Sequence, residues 1–234
     1  MINKATNIVN SISHLFFPHS CAGCGNDIIS ENQILCFKCI SDLPFTNFES
    51  HANNPIEKNF WGKFNIQHAS SLLYFSKDSF LQNLMHQFKY KGKKEIGSYF
   101  GRMMGSAILK SDRFNDIEAL LPLPLFPSKE KKRGYNQAAI LCDGMSEILR
   151  LPILKNSVIR SMATETQTKK NRIERWQNID GKFEIKDLLS LKNNHILLVD
   201  DVTTTGATLE ACALALQNAE NIKVSIATLA CAID

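Results

Sequence analysis

The segment 195–216, which reads HILLVDDVTTTGATLEACALAL, constrains the fold more than any other part of the chain. An apolar run from Ile196 to Val199 leads directly into two acids, Asp200 and Asp201. A loop of threonines and one glycine follows, and then a stretch rich in alanine. This order predicts a buried strand, a short loop and a helix, which is typical of a mainly parallel sheet flanked by helices.

The residue types in this segment favour a ligand that carries both a phosphate and a diol. Backbone N–H groups at a helix N-terminus favour an anion, threonine hydroxyls add donors, and Gly206 allows close approach of the backbone. Two carboxylates at the end of a strand can accept hydrogen bonds from sugar hydroxyls or help to hold Mg²⁺. A Walker-type phosphate loop is excluded, because no Gly-Lys-Ser/Thr follows. The alternative is an ordinary strand and helix joined by a threonine-rich turn, in which paired acids would be costly.

The rest of the sequence continues the alternation of strands and helices. Strands are predicted at 70–75, 117–121, 157–160, 181–185, 195–200 and 223–231, and helices at 79–89, 95–110, 136–149 and 207–218. The basic segment 128–137 predicts a loop that leads into a helix. Ligands of doubly wound sheets bind beyond the carboxyl ends of the strands, where Asp200 is expected.

The chain of 234 residues is long enough for one α/β domain with a small appendage. We predict an N-terminal helix and metal module at 1–45, a polar linker at 46–66 and the main domain at 67–234. No apolar run is long enough to span a membrane, and the N-terminus lacks the organisation of a signal peptide. We therefore expect a cytoplasmic protein.

Four clustered cysteines form two C-x-x-C pairs near the N-terminus: Cys21, Cys24, Cys36 and Cys39. Two such pairs can surround one Zn²⁺ as a closed tetrahedral set, which indicates a structural site. The alternative is four unrelated reduced thiols. The remaining cysteines lie in apolar surroundings and are predicted to be small buried residues: Cys142, Cys212 and Cys231.

A net charge of +4 is too small to indicate nucleic-acid binding by itself. The basic residues are nevertheless grouped, at 89–94, 129–133 and 169–175. Each group alone is typical of a solvated face, whereas three groups in a chain with a phosphate motif suit a polyanionic ligand.

The strand, acids and threonine loop resemble the phosphoribosyl pyrophosphate (PRPP) motif of type I phosphoribosyltransferases. Three further elements complete a resemblance over nearly the whole chain to the ComF family of competence proteins, which is related to amidophosphoribosyltransferases. FKYKGKKEIGSYFG (88–101) resembles its K-Y-x-G element, and TQTKKNRIERWQNIDGKF (166–183) its Q-T…R…N…F element. LLPLPLFPSKEKKRGYNQA (120–138) resembles its P-V-P-L-x-P…R-G-F-N-Q-A signature, with Leu for Val and Tyr for Phe.

The resemblance implies a type I phosphoribosyltransferase fold with an N-terminal zinc finger. It implies that Asp200 and Asp201, the candidate catalytic residues, contact the ribose hydroxyls. The loop around the 5′-phosphate comprises Thr203, Thr204, Thr205, Gly206, Ala207 and Thr208. Lys89, Lys91 and Gly92 are candidates for the pyrophosphate, together with Mg²⁺, and Arg133 opens a second loop. Residues 164–178 resemble a hood that closes over PRPP, with Arg175 among its expected contacts.

The resemblance also implies that the protein functions in DNA uptake, with single-stranded DNA and DNA-processing or recombination proteins as possible partners. One departure from the amidotransferases is the absence of a glutaminase domain with an N-terminal cysteine nucleophile, so the use of glutamine-derived ammonia is not expected. Two other hypotheses stay open: a metabolic phosphoribosyltransferase that acts on a small nitrogenous acceptor, and a regulator that responds to PRPP. The sequence fixes neither the acceptor nor the oligomeric state.

Overall fold

A four-stranded parallel sheet forms the centre of the part of the chain that the computed structural model describes, residues 20–27, 33–160, 183–192, 194–217 and 219–232. Its strands are β1 (Ile66–Tyr74), β2 (Ala119–Pro122), β5 (His195–Thr203) and β6 (Lys223–Cys231), in the order β1-β6-β5-β2. A separate antiparallel pair joins β3 (Val158–Arg160) to β4 (Phe183–Ile185). The parallel sheet confirms the predicted fold class.

Helices cover both faces of this sheet. They are α1 (Phe37–Ser41), α2 (Pro55–Lys58), α3 (Phe80–Tyr90), α4 (Lys94–Leu109), α5 (Pro127–Arg133), α6 (Gln137–Leu149) and α7 (Ala207–Leu216), with single 3-10 turns at Phe48–Ser50 and Asp112–Phe114. None of the described helices is long and apolar enough to cross a membrane.

Strand β5 lies in the interior, and its residues from Ile196 to Val199 are fully buried. One apolar cluster includes Leu197 and packs against α3, α4 and α6, while a second includes Leu198 and packs against α7. A strand that is covered on both faces reads as a continuous apolar run, which explains why the sequence shows no alternation here. The polar residues at its end therefore emerge at the edge of a rigid core.

The segment 46–66 contributes buried side chains to this core, including Phe48, Ile56 and Phe60. Asn54 accepts hydrogen bonds from the first N–H groups of α2, and its amide donates to the carbonyl of Ala69 in β1. Glu57 forms a buried ion pair with Arg113. These contacts hold the segment against the sheet, while the domain boundaries stay a prediction.

The prediction of a loop over 128–137 was wrong, because residues 127–133 form helix α5. Pro127 occupies the start of the helix, where its missing N–H costs nothing, and Glu130 lies in the first turn. Gly134 ends the helix in the left-handed conformation, with φ of 80°, and donates to the carbonyl of Glu130. These start and stop signals outweigh the polarity of the segment.

Candidate functional site

The threonine loop forms a small hollow between the end of β5 and the start of α7. The hollow has a volume of about 130 Å³ and is lined by Asp200, Val202 and residues 203–209. Gly206 precedes α7 with φ of 75°, and a Cβ atom there would lie 2.8 Å from the ring of Phe60. Glycine is required because both the backbone conformation and the space exclude a side chain.

Polar groups of this loop remain available to a ligand. Thr204 and Thr205 are exposed. The hydroxyl of Thr203 is buried and has no hydrogen-bond partner among the described residues. A buried hydroxyl without a partner is unfavourable unless a ligand or water satisfies it. The hollow at the N-terminus of α7 therefore has the chemistry of an oxyanion site.

The two acids differ in their surroundings. Asp200 is partly buried and accepts a hydrogen bond of 2.8 Å from the backbone N–H of Asp201. Burial, followed by the negative charge of Asp201, raises the pKa of Asp200 to about 8. The carboxylate of Asp201 lies 2.8 Å from the ammonium of Lys89. Asp200 therefore retains its proton to a higher pH than an exposed acid does, while its neighbour forms an ion pair with Lys89.

Lys89 lies in the last turn of α3 and is brought directly to the acids near the end of β5. Lys91 and Gly92 continue from it as an exposed turn. The structure therefore joins Lys89 to the predicted acid pair and leaves its two neighbours open to solvent.

Arg133 is the last residue of α5 and precedes the second basic loop. Its guanidinium lies 5.4 Å from the ring centre of Tyr90 and donates to the side chain of Gln137 at 2.6 Å. The hydroxyl of Tyr135 donates to the carbonyl of Phe88. These contacts join the end of α5 to the end of α3, so that both basic loops face the same edge of the sheet.

Arg160, at the end of β3, was missed by the sequence analysis. It is 8% exposed, and its guanidinium lies 3.8 Å from the ring centre of Phe126 and 5.2 Å from that of Phe183. Its positive charge opposes the rise in the pKa of Asp200. The sequence signal that could have identified this residue was its position at the carboxyl end of a short predicted strand. Arg175, which the resemblance placed in a hood, lies outside the described residues.

The four clustered cysteines form a compact thiol site, with all Sγ atoms within 4.8 Å of one another. The N–H of Cys36 donates to the Sγ of Cys21 at 3.2 Å. Although burial opposes ionisation of Cys21, backbone hydrogen bonds hold its pKa down at about 6, whereas burial and the neighbouring thiols raise the pKa of Cys39. The donor set fits a structural zinc ion, with no position left for a substrate.

The thiol site packs against helix α3, which covers the main sheet. Cys21, Leu35 and Cys39 belong to the same apolar cluster as Phe88 of α3. The side chain of Gln87 donates to the carbonyl of Ala22 at 3.0 Å. The module therefore packs on the helix that carries Lys89. The cysteines outside the module are buried, as predicted: Cys142, Cys212 and Cys231.

Comparisons with known proteins agree with this architecture. Residues 132–233 match the phosphoribosyl transferase domain family. The chain is 30% identical over 198 residues to competence protein F of Haemophilus influenzae, a match that covers 81% of this chain and 80% of that relative. It is also 31% identical over 142 residues to DNA utilization protein YhgH of Shigella flexneri. That match covers 59% of this chain and 62% of that relative.

Among solved structures, the chain is similar to the glutamine PRPP amidotransferase from Bacillus subtilis complexed with ADP and GMP. That similarity has 14% sequence identity and a TM-score of 0.41, and it covers 60% of this chain and 30% of the other. The domain match, the parallel sheet with its threonine loop and the four-thiol module agree with one another. Together with the match to competence protein F, they establish that the chain belongs to the ComF family and has a type I phosphoribosyltransferase fold with a small four-cysteine module.

Proposed function

We propose that this protein binds PRPP with Mg²⁺ at the carboxyl ends of the strands and works in DNA uptake during natural transformation. The observation that carries the proposal is the contact of 2.8 Å between Lys89 and Asp201. It joins the loop expected to bind the pyrophosphate to the acids expected to bind the ribose. A phosphate hollow lies directly beyond these acids, so the three parts of PRPP have adjacent partners.

Each part of the site has a role that follows from its chemistry. The loop 203–208 surrounds the 5′-phosphate with backbone N–H groups and hydroxyls. Asp200 and Asp201 accept hydrogen bonds from the ribose hydroxyls, and these bonds are strongest when both acids are ionised. Lys89, together with Lys91 and Arg133, supplies positive charge to the pyrophosphate.

Mg²⁺ would neutralise charge on the departing pyrophosphate if the protein turns PRPP over. The residues of this chain would orient the ribose through the two acids and hold the leaving group through the basic loops. Asp200 and Asp201 would also stabilise the positive charge that develops on the ribose ring. The described residues contain no group that can be assigned as a dedicated base for an acceptor.

The part of the proposal that concerns DNA rests on the family and on the basic surface. Relatives carry the names competence protein F and DNA utilization protein. The described face of α5 exposes Lys129, Lys131 and Lys132 to solvent. Such a cluster can contact the phosphates of a single strand, and the zinc module is a second candidate surface for DNA or protein. Cytoplasmic location belongs to the same proposal.

The assignment of the acids to a diol is tested with two sugar phosphates that differ in one hydroxyl. Ligand-observed NMR should show that the wild type prefers ribose 5-phosphate to 2-deoxyribose 5-phosphate by about tenfold, because a charged acceptor would lose its donor. Asp201→Asn should abolish this preference. The control variant Asp112→Asn, which alters an exposed acid elsewhere, should retain it. Equal affinity of the wild type for both sugars would contradict the assignment.

The DNA proposal is tested by fluorescence anisotropy with a labelled single strand at low salt. Lys131→Gln with Lys132→Gln should weaken binding and reduce its salt dependence. The matched control is Lys58→Gln with Lys110→Gln, since both are exposed lysines away from α5. No affinity at low salt, or an equal loss in the control, would count against direct contact through α5.

A screen for pyrophosphate release with nucleobases and amines tests the metabolic alternative, which no observation favours.

A further inference from the structure

A second hollow lies against the first residues of β1, away from the threonine loop. Its volume is about 380 Å³, which is within the range of small-molecule sites. The residues that line it include Glu57, Trp61, Phe64, Asn65, His68 and Arg113. None of them belongs to the site described above, and none was singled out by the sequence analysis.

Two aromatic residues form one wall of this hollow. Trp61 is 54% exposed although its indole is large and apolar. Phe64 is partly buried and packs edge-on against Phe60 with ring centres 5.4 Å apart. A rigid indole on the side of a hollow offers a flat face on which a planar ring can stack.

The floor of the hollow is polar but already neutralised. Arg113 forms an ion pair with Glu57 and donates to the carbonyl of His51 at 2.8 Å. The other oxygen of Glu57 accepts from the N–H of Asn53 at 2.6 Å. Since both charged groups are engaged with each other and with the backbone, the floor offers no net charge to a cation or an anion.

His68 supplies one directional group to this floor. A guanidinium nitrogen of Arg113 lies 3.1 Å from its Nδ1, and arginine can only donate, so Nδ1 accepts and Nε2 carries the proton. Burial, followed by the charge of Arg113, lowers the pKa of His68 and so favours the neutral ring. Among the described residues, no hydrogen bond engages Nε2. The neutral ring therefore keeps an N–H donor at Nε2 that the described residues leave unused.

We propose that this hollow, which we call the Trp61 pocket, binds an uncharged planar heterocycle of the nucleobase class. The ring stacks on the indole of Trp61, and one of its acceptor atoms receives the N–H of His68. A charged ligand is disfavoured because it would enter beside an ion pair that has no charge left to offer. An aliphatic ligand would leave the His68 donor without a partner.

The segment that carries Trp61 also packs on the main site. Phe60, which lies behind Phe64 and outside the pocket, packs against Gly206. Lys63 lies 3.1 Å from Glu210, and the side chain of Gln217 donates to the carbonyl of Asn65. Filling the Trp61 pocket therefore acts on a segment that lies along α7. A resulting change in PRPP affinity rests on the proposed function, whereas binding of the heterocycle does not.

The chain has only two tryptophans, Trp61 and Trp176, so Trp176→Phe leaves Trp61 as the single reporter. Free adenine, guanine, cytosine and uracil are each titrated into this zinc-loaded variant without PRPP, with excitation at the red edge of indole absorption. We expect saturable quenching by at least one base. Quenching by none of the four would overturn the proposal.

Two substitutions at His68 separate the donor from the fold. In the Trp176→Phe background, His68→Asn keeps an acceptor for Arg113 but loses the Nε2 donor, and it should weaken binding about tenfold. His68→Gln can still donate from its amide and should retain most of the affinity. Equal binding by His68→Asn and the parent would overturn the assignment.

The Asp200→Asn/Asp201→Asn pair in the same background tests the location. These substitutions should leave quenching by the base unchanged, because the acids are not part of the Trp61 pocket. Loss of quenching in this variant would place the base in the main site and overturn the proposal. Failure of PRPP to bind, with quenching intact, would contradict the proposed function alone.

Discussion

Gly206→Ala should be more destabilising than an ordinary substitution in a loop. Gly206 has φ of 75°, and an added Cβ would lie 2.8 Å from two carbons of the Phe60 ring. A residue with a Cβ in the left-handed region costs about 1–2 kcal/mol. Forcing a methyl group against a fully buried ring costs about 1–3 kcal/mol more. The free energy of unfolding should therefore fall by about 2–5 kcal/mol.

Gly134→Ala is the matched control, because Gly134 has φ of 80° and no atom within 4 Å of the added Cβ. It should show only the backbone cost of about 1–2 kcal/mol. Urea unfolding of the zinc-loaded proteins measures both values, provided that the slope with denaturant is unchanged. The excess of about 1–3 kcal/mol in Gly206→Ala then isolates the contact with Phe60.

Phe60→Leu provides a second check, since a smaller side chain should relieve the clash in the double variant. The double-mutant cycle should give a favourable coupling of about 1 kcal/mol. If Gly206→Ala costs no more than Gly134→Ala, or if the cycle shows no coupling, the packing of segment 46–66 beneath the threonine loop is refuted.

Three further predictions concern the charges and thiols around the site. Lys89→Met should weaken PRPP binding about tenfold in calorimetry and Lys91→Met about threefold, because only Lys89 is held 2.8 Å from Asp201; equal losses would contradict the pairing. Because the pKa of Asp200 is raised from 3.8 to about 8, the folded state holds a proton that the unfolded state releases. The free energy of unfolding should therefore fall as pH rises through this range, while the affinity for PRPP should rise between about pH 7 and 9. Asp200→Asn should remove both pH dependences. If the variant keeps the pH dependence of the wild type, the raised pKa of Asp200 is contradicted. Cys24→Ser should lower the zinc content measured by mass spectrometry and destabilise α3, since Zn²⁺ binding contributes to folding; full zinc occupancy would contradict a four-thiol site.

The strand and helix around the acids could be predicted because their signals are local. Residues 196–199 are buried on both faces, and the loop and helix follow without interruption. Helix α5 could not be predicted from its polar composition alone, although Pro127 and Gly134 mark its ends. Its exposed basic residues have no apolar face that would reveal a helical period.

The close packing of α4 against α6 was also not predicted. A Cβ on Gly101 would lie 2.3 Å from the carbonyl of Leu141, and one on Gly144 equally close to the carbonyl of Ser98. These glycines allow two helix backbones to approach, but in the sequence they resemble isolated helix-weakening residues. Only the tertiary arrangement shows why they are there.

The candidate site likewise has one part that could be predicted from the sequence and one part that could not. Asp200, Asp201 and the threonine loop have a recognisable local order, whereas the pairing of Lys89 with Asp201 depends on two elements that are distant in the chain. The contact of Phe60 with Gly206 and the placement of Arg160 between two phenylalanine rings are likewise tertiary. Such contacts leave no periodic or motif signal in a single sequence.

The central claim is tested most directly by isothermal titration of the zinc-loaded protein with PRPP and Mg²⁺, beside the Asp200→Asn/Asp201→Asn variant. The matched control is Asp42→Asn with Asp112→Asn, which alters two exposed acids away from the site. The account predicts binding by the wild type and the control, and loss of binding in the variant at the acid pair. Absence of binding by the wild type, or equal binding by all three proteins, would contradict it.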